Sequence, residues 1–359
     1  MRILFAVLSP ISAELGAAQM ALNLARALRA LGTEVVVWTP HPIPPEVRWW
    51  RRMAWVRRKI AEYAKQDGKF DVVDVPAVAV TRSLTQQCMV VSRNVQPELL
   101  YFWIELRYAG RARPVSLAAW IATAILNVYF AGLVLAGWSR ARHILCLGSL
   151  DYMWMTRWFP WWRGKLDVYI NAVGDNERKA LAEVRRNRTP PSAPGTRFLW
   201  LGRWAAHKGP DVLRDFLKQR LEKHPEDRIT IAGCGQDAAK HLPASLLRDG
   251  AVHIVPKYER QDLPKLLADH DAGLFTSRVE GWGLTLQEML ESGMPVYATN
   301  AGAVADLRTE FLDLLREFPP GFGERIGDPD PSPVSQSYLS HCSWTAIAAD
   351  YLEKIHEKA

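Results

Sequence analysis

Residues 271–300 read DAGLFTSRVEGWGLTLQEMLESGMPVYATN, and this stretch gives the clearest local prediction in the chain. The apolar segment 273–276 predicts a strand, the glycine-containing stretch 281–283 predicts a turn, and about 284–291 has the pattern of a helix. Gly293 lacks the Cβ that is unfavourable at a helix C-terminus, and Pro295 follows as a stop signal. Residues 295–299 predict a second strand. The stretch is therefore a strand–turn–helix–strand unit.

Two glutamates, Glu280 and Glu288, lie on either side of this turn. Between them, Gly283, Leu284 and Thr285 are expected to present free backbone N–H groups at a helix N-terminus, which favours a phosphate. Carboxylates beside an anion site fit hydroxyl binding. A ligand with phosphate in the middle and hydroxyl-rich groups at both ends, such as a nucleotide-sugar, suits this arrangement. The alternative is an ordinary strand–helix unit with surface glutamates.

The spacing within EGWGLTLQE resembles the paired-glutamate signature of retaining glycosyltransferases of the GT-B fold, family 4 type (glycosyl transferases group 1). This resemblance implies an α/β protein with two Rossmann-like doubly wound domains facing each other, the second binding the donor and the first the acceptor. It also implies that Glu280 holds sugar hydroxyls and that Glu288 holds the ribose hydroxyls. Gly281 and Trp282 are predicted to be further donor contacts in the same turn.

A basic motif, GRWAAHKG, follows the strand predicted at 197–201. Gly202, Arg203 and Lys208 match the family's positions, and the resemblance implies that the two cations bind the donor diphosphate. Cations suit that role because the leaving diphosphate gains negative charge as the sugar bond breaks. Lys257 follows the strand predicted at 252–255, where the family lines its base pocket. Two solvated surface cations are the alternative to the diphosphate clamp.

The chain opens as β-α-β, with strands predicted at 2–8 and 34–38 and an apolar helical stripe between them. It lacks a GxGxxG motif and an acidic residue closing the second strand, which disfavours a dinucleotide dehydrogenase. Of the paired glycines that the family often has in the first turn, only Gly16 is present. After the strand predicted at 89–92 the family often has a histidine, whereas this chain has Arg93 and Asn94. We interpret these two residues as acceptor contacts, Arg93 meeting an acceptor phosphate.

The resemblance extends over nearly the whole chain and predicts its domains. Residues 1–173 form an acceptor-side domain, and 174–196, which are rich in charge and then in proline, form a linker. Residues 197–335 form the nucleotide-sugar-binding domain, and 336–359 include a C-terminal helix that crosses back to the first domain.

Charge and tryptophan are unevenly distributed. The whole chain has a net charge of +7, but residues 1–175 alone carry 21 basic and 12 acidic residues, and eleven of the 15 tryptophans lie at or before Trp162. No nucleic-acid-binding module is recognisable, so we expect an anionic membrane surface or a lipid-linked acceptor rather than nucleic acid. Residues 47–66 predict a basic amphipathic helix, which fits either a helix packed on the sheet or a membrane-facing one.

Residues 114–139 contain no charged residue and are long enough to span a bilayer. They lie between two predicted strands of one domain, and a spanning helix would put the halves of that domain on opposite sides of the membrane. We therefore expect a buried or half-inserted helix. The four cysteines lack CxxC spacing, which suits a reducing compartment, and we expect a cytoplasmic protein, peripheral on the inner face of the membrane.

These inferences predict retaining transfer of a hexose-type sugar from a UDP- or GDP-sugar to a glycan or lipid-linked acceptor, in cell-envelope polysaccharide or glycolipid synthesis. No metal is expected, because no DxD-type motif lies beside the predicted site. Two alternatives remain open. A sugar-nucleotide epimerase of the same fold would release nucleotide without an acceptor, and an inactive subunit would bind nucleotide without turnover.

Overall fold

The computed structural model describes residues 1–11, 16–112, 116–191, 194–248, 250–321 and 326–358. It contains two six-stranded sheets, and every neighbouring pair of strands in both is parallel. Helices connect successive strands, as parallel pairing requires. The predicted α/β class with two Rossmann-like doubly wound domains is confirmed.

The first unit comprises residues 1–99, 125–172 and 340–359. Its sheet has the order β2-β1-β3-β4-β5-β6. The strands are β1 (Arg2–Ala6), β2 (Glu34–Trp38), β3 (Val72–Val75), β4 (Met89–Arg93), β5 (His143–Leu147) and β6 (Leu166–Tyr169). The helices that lie wholly or mainly in this unit are α1 (Gly16–Ala30), α2 (Arg52–Gln66), α3 (Arg82–Thr85), α5 (Leu117–Arg140), α6 (Gly148–Trp158) and α14 (Trp344–Lys358).

The second unit comprises residues 100–124 and 173–339. Its sheet has the order β12-β11-β10-β7-β8-β9. The strands are β7 (Arg197–Leu201), β8 (Arg228–Ala232), β9 (Val252–Val255), β10 (Ala272–Phe275), β11 (Val296–Ala298) and β12 (Leu315–Glu317). Its helices, wholly or mainly, are α4 (Glu98–Ala112), α7 (Asp175–Arg186), α8 (Pro210–Lys223), α9 (Ala244–Arg248), α10 (Leu263–Ala268), α11 (Leu284–Glu291), α12 (Val304–Leu307) and α13 (Gln336–His341).

The central strands are mostly apolar because helices cover both faces of each sheet. Every residue of β3, β5 and β10 is buried. In the second unit, Phe198 and Trp200 of β7 pack with Leu213 and Phe216 of α8. The core of each unit therefore lies between its sheet and its helices, and the polar residues that follow the strands lie at the sheet edge.

Two observed boundaries differ from those predicted. Residues 100–124, predicted within the first domain, group with the second unit. The span 174–196, predicted as a linker, begins with α7, whose Arg178 forms an ion pair with Glu291 of α11 (Nε to Oε2, 3.0 Å). The charged residues of this span thus form a helix packed on the second unit, and their charge reflects ion pairing rather than a free linker.

Candidate functional site

The order of the second sheet brings two predicted motifs together. Strands β7 and β10 are direct neighbours, although β8 and β9 lie between them in sequence. The basic motif follows β7, and the glutamate-containing stretch follows β10. The carboxyl ends of parallel strands meet at one edge of the sheet, and the edge between β7 and β10 is the point where the strand order reverses. Ligands of doubly wound folds bind at such points.

Lys208 and Glu280 are in contact at this edge. Lys208 Nζ donates a hydrogen bond to Glu280 Oε2, and Ser277 Oγ donates another at 3.2 Å. The Glu280 side chain is only 16% exposed. Burial opposes its ionisation, but the charge and hydrogen bond of Lys208 prevail and hold the pKa of Glu280 below its ordinary value. Glu280 is therefore a carboxylate, which accepts hydrogen bonds and donates none.

Gly209 holds Lys208 in place. Its φ is +65°, and a Cβ there would lie 2.2 Å from the carbonyl oxygen of Thr276. Thr276 Oγ1 donates to Lys208 O at 2.8 Å, and Trp200 Nε1 donates to the same hydroxyl at 3.0 Å. The loop after β7 is thus fixed against the loop after β10 by contacts that only glycine permits. Arg203, the other predicted cation, is exposed on this loop.

The turn before α11 has the predicted geometry. Gly283 has a φ of +82°, and the first backbone amide to bond back within the turn is that of Leu286, to Gly283 O at 2.9 Å. The preceding amides of Gly283, Leu284 and Thr285 have no partner inside the helix, as at any helix N-terminus. Helix α11 spans Leu284–Glu291, as predicted. This end of the helix is suited to bind an anion.

Trp282 supports this turn instead of lining it. Its side chain is buried, and its Nε1 donates to Gln287 Oε1 at 2.7 Å. Its carbonyl oxygen accepts from Ala303 N at 2.8 Å, and a Cβ on Gly302 would come within 2.5 Å of the same oxygen. The indole has almost no free surface, so a donor contact by Trp282 would have to use its backbone, and that contact stays a prediction. Gly281 is likewise buried.

Glu288 is 1% exposed and lies in α11, one turn after Leu284. Arg260 Nη2 lies 2.7 Å from its Oε1, yet no described residue donates a well-aligned hydrogen bond to either carboxylate oxygen. Burial raises the pKa of Glu288 to about 7, and Arg260 offsets part of this effect. A buried acid with unsatisfied oxygens usually has a functional role.

Arg260 and Glu177 were not predicted from the sequence. Arg260 Nε and Nη2 both donate to Glu177 Oε1, at 3.1 and 2.7 Å, so Arg260 joins α7 to Glu288. The only sequence signal is their position, since Arg260 follows β9 by five residues and Glu177 lies in the span read as a linker. Nearby, Lys257, predicted to line a base pocket, is exposed, whereas burial raises the pKa of Tyr258 to about 12.

Helix α4 contributes unpredicted residues to the basic loop. Glu105 Oε1 accepts from the backbone N of His207 at 2.8 Å and lies 2.6 Å from its Nδ1. The ring of Tyr101 lies 5.0 Å from that of His207, and the charges of Glu105, Arg203 and Glu280 act on its phenol. These contacts join residues about a hundred positions apart, and nothing in the local sequence of α4 signals them.

Tyr108 of α4 adds a second contact. The guanidinium of Arg278 lies 3.9 Å from the centre of the Tyr108 ring and pairs with both carboxylate oxygens of Asp211 at 2.7 Å. Arg278 lies in the loop between β10 and Glu280. Helix α4 is thus attached to both loops of the site.

In the first unit, Arg93 is buried rather than available to an acceptor. Its Nε donates to Asp74 Oδ1 at 3.0 Å, and Tyr351 OH donates to the other oxygen of Asp74 at 2.8 Å. The guanidinium packs 4.9 Å from the centre of the Phe5 ring. The interpretation of Arg93 as an acceptor-phosphate contact is therefore corrected, because its charge is compensated inside the core.

Asn94 is also buried, with its amide between Asp151 Oδ2 (3.1 Å) and Trp138 Nε1 (2.9 Å). Both of its side-chain polar groups are engaged, so it supports the sheet edge and does not present a free amide to an acceptor. Gly16 is the first residue of α1, and the turn before it, 12–15, lies outside the described residues. Its predicted donor contact stays a prediction.

Comparison with known proteins agrees with this geometry. Residues 184–312 match the family model described as glycosyl transferases group 1. D-inositol 3-phosphate glycosyltransferase of Corynebacterium aurimucosum is 29% identical over 180 residues, which are 45% of this chain and 42% of that protein. The match thus spans less than half the length of this relative. The family-model match includes the loops after β7 and β10.

Two solved structures share the fold. Sucrose-phosphate synthase of Thermosynechococcus elongatus has a TM-score of 0.66 and 14% identity, covering 99% of this chain and 94% of its own. HepE of Anabaena, solved in complex with UDP, has a TM-score of 0.60 and 16% identity, covering 99% of this chain and 100% of its own. The chain therefore has the two-domain GT-B fold of these glycosyltransferase structures.

Proposed function

We propose that this protein is a retaining glycosyltransferase of the family 4 type that transfers a hexose-type sugar from a nucleotide diphosphate sugar. The observation that carries this proposal is the contact of Lys208 with Glu280 at the carboxyl edge of the second sheet, beside the N-terminus of α11. This arrangement offers positive charge and amide donors for a diphosphate, and a hydroxyl-binding carboxylate next to them.

Each group has a part in the proposed reaction. The bond between the anomeric carbon and the diphosphate oxygen breaks while a bond to the acceptor oxygen forms on the same face of the sugar. The acceptor proton passes to the leaving diphosphate. Arg203, Lys208 and the first amides of α11 stabilise the charge that develops on that diphosphate. The fixed positions of Lys208 and of the amides make their stabilisation effective. Because Glu280 is ionised, it accepts hydrogen bonds from sugar hydroxyls and holds the ring for transfer.

Glu288 is assigned to the ribose hydroxyls. Its two carboxylate oxygens are buried and lack aligned donors, so ribose hydroxyls supply the hydrogen bonds that the protein leaves unmade. Arg260 favours the ionised form of this carboxylate and offsets part of the effect of burial. We assign the base to Lys257 and Tyr258, which follow β9, and we propose UDP or GDP as the nucleotide. The presence of UDP in the HepE structure supports this choice.

A glycan or a lipid-linked sugar is the proposed acceptor, in cell-envelope polysaccharide or glycolipid synthesis. Because two cations neutralise the leaving group, the proposal includes no metal, and a chelator is expected to leave turnover unchanged. The free cysteines Cys88, Cys146, Cys234 and Cys342 are consistent with the reducing cytoplasm as the site of this reaction.

The proposal is tested by thermal shift with UDP, GDP, ADP and their sugars, followed by turnover assays with the ligand that binds. A ligand that binds only the folded state raises the melting temperature. We expect one base to give the largest shift, and nucleotide release to depend on an added acceptor. Release that continues without acceptor, with the sugar inverted at one carbon, would contradict transfer and indicate an epimerase. Binding without turnover across an acceptor panel would indicate an inactive subunit.

A further inference from the structure

Helix α5 (Leu117–Arg140) is apolar along nearly its whole length and yet is not buried. Its mean hydropathy reaches 1.9 over the most apolar window, and only 6% of that window is buried. Ile125 and Val128 are 65% and 74% exposed. A core helix of a soluble protein with this composition is mostly buried, because exposed apolar surface is unfavourable in water. Most of α5 is thus not buried within this chain, which favours the half-inserted alternative.

The C-terminal end of α5 is fixed to the first unit. A Cβ on Gly137 would lie 2.0 Å from Ala77 O, so the two backbones touch. Lys165 Nζ donates to the carbonyl oxygens of Ser139 and Ala141, both at 3.1 Å, and Trp138 Nε1 donates to Asn94. The buried residues of the helix, Val134, Gly137 and Trp138, all lie in this last part. In the rest of α5 no residue is buried, and Leu117, Ile125 and Val128 are the most exposed of its large apolar residues.

Topology determines how such a helix meets a membrane. Helices α4 and α5 connect β4 to β5, which are hydrogen-bonded neighbours in one sheet. The chain therefore leaves and re-enters this sheet on the same side of any bilayer. Helix α4 cannot serve as a second span, because its 15 residues cover only about 22 Å and include Glu98, Glu105 and Arg107. Helix α5 can enter one leaflet but cannot cross both.

The first unit's surface also provides cations for anionic headgroups. On α2 and the turn before it, Arg51, Arg52 and Arg58 are exposed. Arg57 of α2 is partly buried, and Tyr129 and Arg140 of α5 are close enough to act on its guanidinium electrostatically. Cations next to an apolar helix suit the anionic surface of a membrane.

Aromatic residues lie at the fixed end of α5. The centre of the Trp138 ring lies 5.6 Å from that of Phe159 and 5.9 Å from that of Trp162. Trp161, in the same cluster, is 68% exposed. Exposed tryptophans are enriched at the level of lipid headgroups, where an apolar ring and an N–H group are both accommodated.

We propose that the exposed length of α5, with the basic face of α2 and the tryptophans beside Trp138, is a monotopic anchor that inserts into one leaflet of an anionic phospholipid bilayer. The apolar helix enters the acyl region, the tryptophans rest at headgroup level, and the arginines pair with lipid phosphates. This inference does not depend on the proposed enzymatic activity, and binding alone tests it.

The test is cosedimentation with vesicles of phosphatidylcholine containing about a third phosphatidylglycerol. Wild-type protein is expected to bind strongly at low salt and less at high salt, because ions screen the arginines. The variants Ile125→Glu and Val128→Glu place a charge in the acyl region, and each should lower the partition coefficient at least about tenfold. Leu312→Glu is the matched control, an equally exposed leucine on the second unit (68%), and should bind like wild type.

Three results would overturn the proposal. In the first, wild-type protein stays in the supernatant when vesicles are sedimented. In the second, Ile125→Glu and Val128→Glu bind vesicles as strongly as Leu312→Glu does. The third is a wild-type protein that does not bind vesicles, forms a dimer without them and becomes a monomer with the change Ile125→Glu. That result would make α5 a contact between two copies of this chain. Thermal unfolding of each variant checks the fold, and since all three positions are exposed, melting temperatures close to wild type are expected.

Discussion

The contact between Lys208 and Glu280 determines the chemistry of both groups at once. Lysine keeps the pKa of the buried glutamate below its ordinary value, so the carboxylate is ionised at physiological pH and is available for the sugar hydroxyls that the proposed function assigns to it. The ammonium has three donors, and its hydrogen bond to Glu280 uses one of them. Within the described residues no other partner of Lys208 Nζ is found, so in the proposed reaction the same lysine positions the hydroxyl-binding group and also stabilises the leaving diphosphate.

Removal of either cation tests this arrangement. Arg203→Ala and Lys208→Ala should each lower kcat/KM on the order of a hundredfold or more, about 3 kcal/mol in transition-state stabilisation, as for other fixed donors to a developing charge. Lys240→Ala is the control, because Lys240 is an exposed lysine of the same unit paired only with nearby Asp237. Near-normal turnover in both site variants would remove the diphosphate clamp from the mechanism.

The pKa of Glu288 gives a prediction about pH. Because burial raises it to about 7, the carboxylate is lost as pH falls through that value, and with it the acceptors for ribose hydroxyls. Nucleoside diphosphate should bind more weakly below about pH 7, and Arg260→Ala should move this midpoint upward, because Arg260 favours the charged form. Isothermal titration calorimetry across this range measures both.

The control for this pH profile is Glu288→Gln, which cannot titrate. Any pH dependence that remains in it belongs to the phosphate of the ligand. A wild-type profile identical to that of Glu288→Gln would show that Glu288 does not act on the ligand through its charge.

Residues that act through distant partners could not be predicted from the sequence. Arg260 reads as an ordinary surface arginine until α7 and α11 place Glu177 and Glu288 beside it. Glu105 lies in a helix that has no motif, and its contact with His207 follows from tertiary structure alone. By contrast, Glu280 and Lys208 were predicted because each lies in a local motif with fixed spacing.

At the level of elements, α11 was predicted with correct bounds because both of its ends carry strong signals. Gly283 begins it from a left-handed conformation, and Gly293, with φ of +77°, ends it. Most strands were predicted to within two residues of their observed bounds, because apolar runs of four or five residues lie between turn residues.

Gly283 offers a prediction that separates strain from function. Gly283→Ala should destabilise the protein by about 1–2 kcal/mol, because its φ is unfavourable for any other residue and its Cβ would lie 3.0 Å from the Phe275 ring. Displacement of the turn should also weaken diphosphate binding. Gly32→Ala is the matched control, with the same φ of +82° and no atom within 4 Å of the new Cβ.

Denaturant unfolding and calorimetry measure the two effects of these alanine variants. Gly32→Ala should show the backbone cost but bind the diphosphate like wild type. Equal affinity in both variants would mean that the α11 N-terminus does not contact the phosphates.

Helix α5 shows where pattern analysis reaches its limit. A helix that is apolar on all sides has no periodicity to indicate which face is buried, so the sequence left burial and insertion open. Only its neighbours decide, and in the structure the fully buried residues of α5 all lie in its last turns. Near the start of α5, Trp120 Nε1 donates a hydrogen bond to Leu106 O at 3.2 Å, and Leu106 lies in α4, the helix that also carries Glu105.

For the whole molecule, strand order explains why two short motifs suffice to indicate a site. The second sheet places β7 beside β10, and residues 72 positions apart thereby come into contact. The two-domain class could be predicted from repeated strand–helix units. The grouping of residues 100–124 with the second unit could not be predicted. The domains predicted from the sequence are consecutive, whereas these residues interrupt the first unit in sequence and belong to the second.

The central claim is that Glu280 and Glu288 bind different parts of one nucleotide-sugar, and calorimetric titration of two alanine variants tests it directly. Glu280→Ala should bind the bare nucleoside diphosphate within about twofold of wild type, whereas Glu288→Ala should bind it at least about tenfold more weakly, the loss expected for hydrogen bonds to a charged group. With the matching nucleotide-sugar, both should bind more weakly and turn over more slowly. If both variants bind the bare diphosphate like wild type, the glutamates do not bind the donor and the assignment is contradicted.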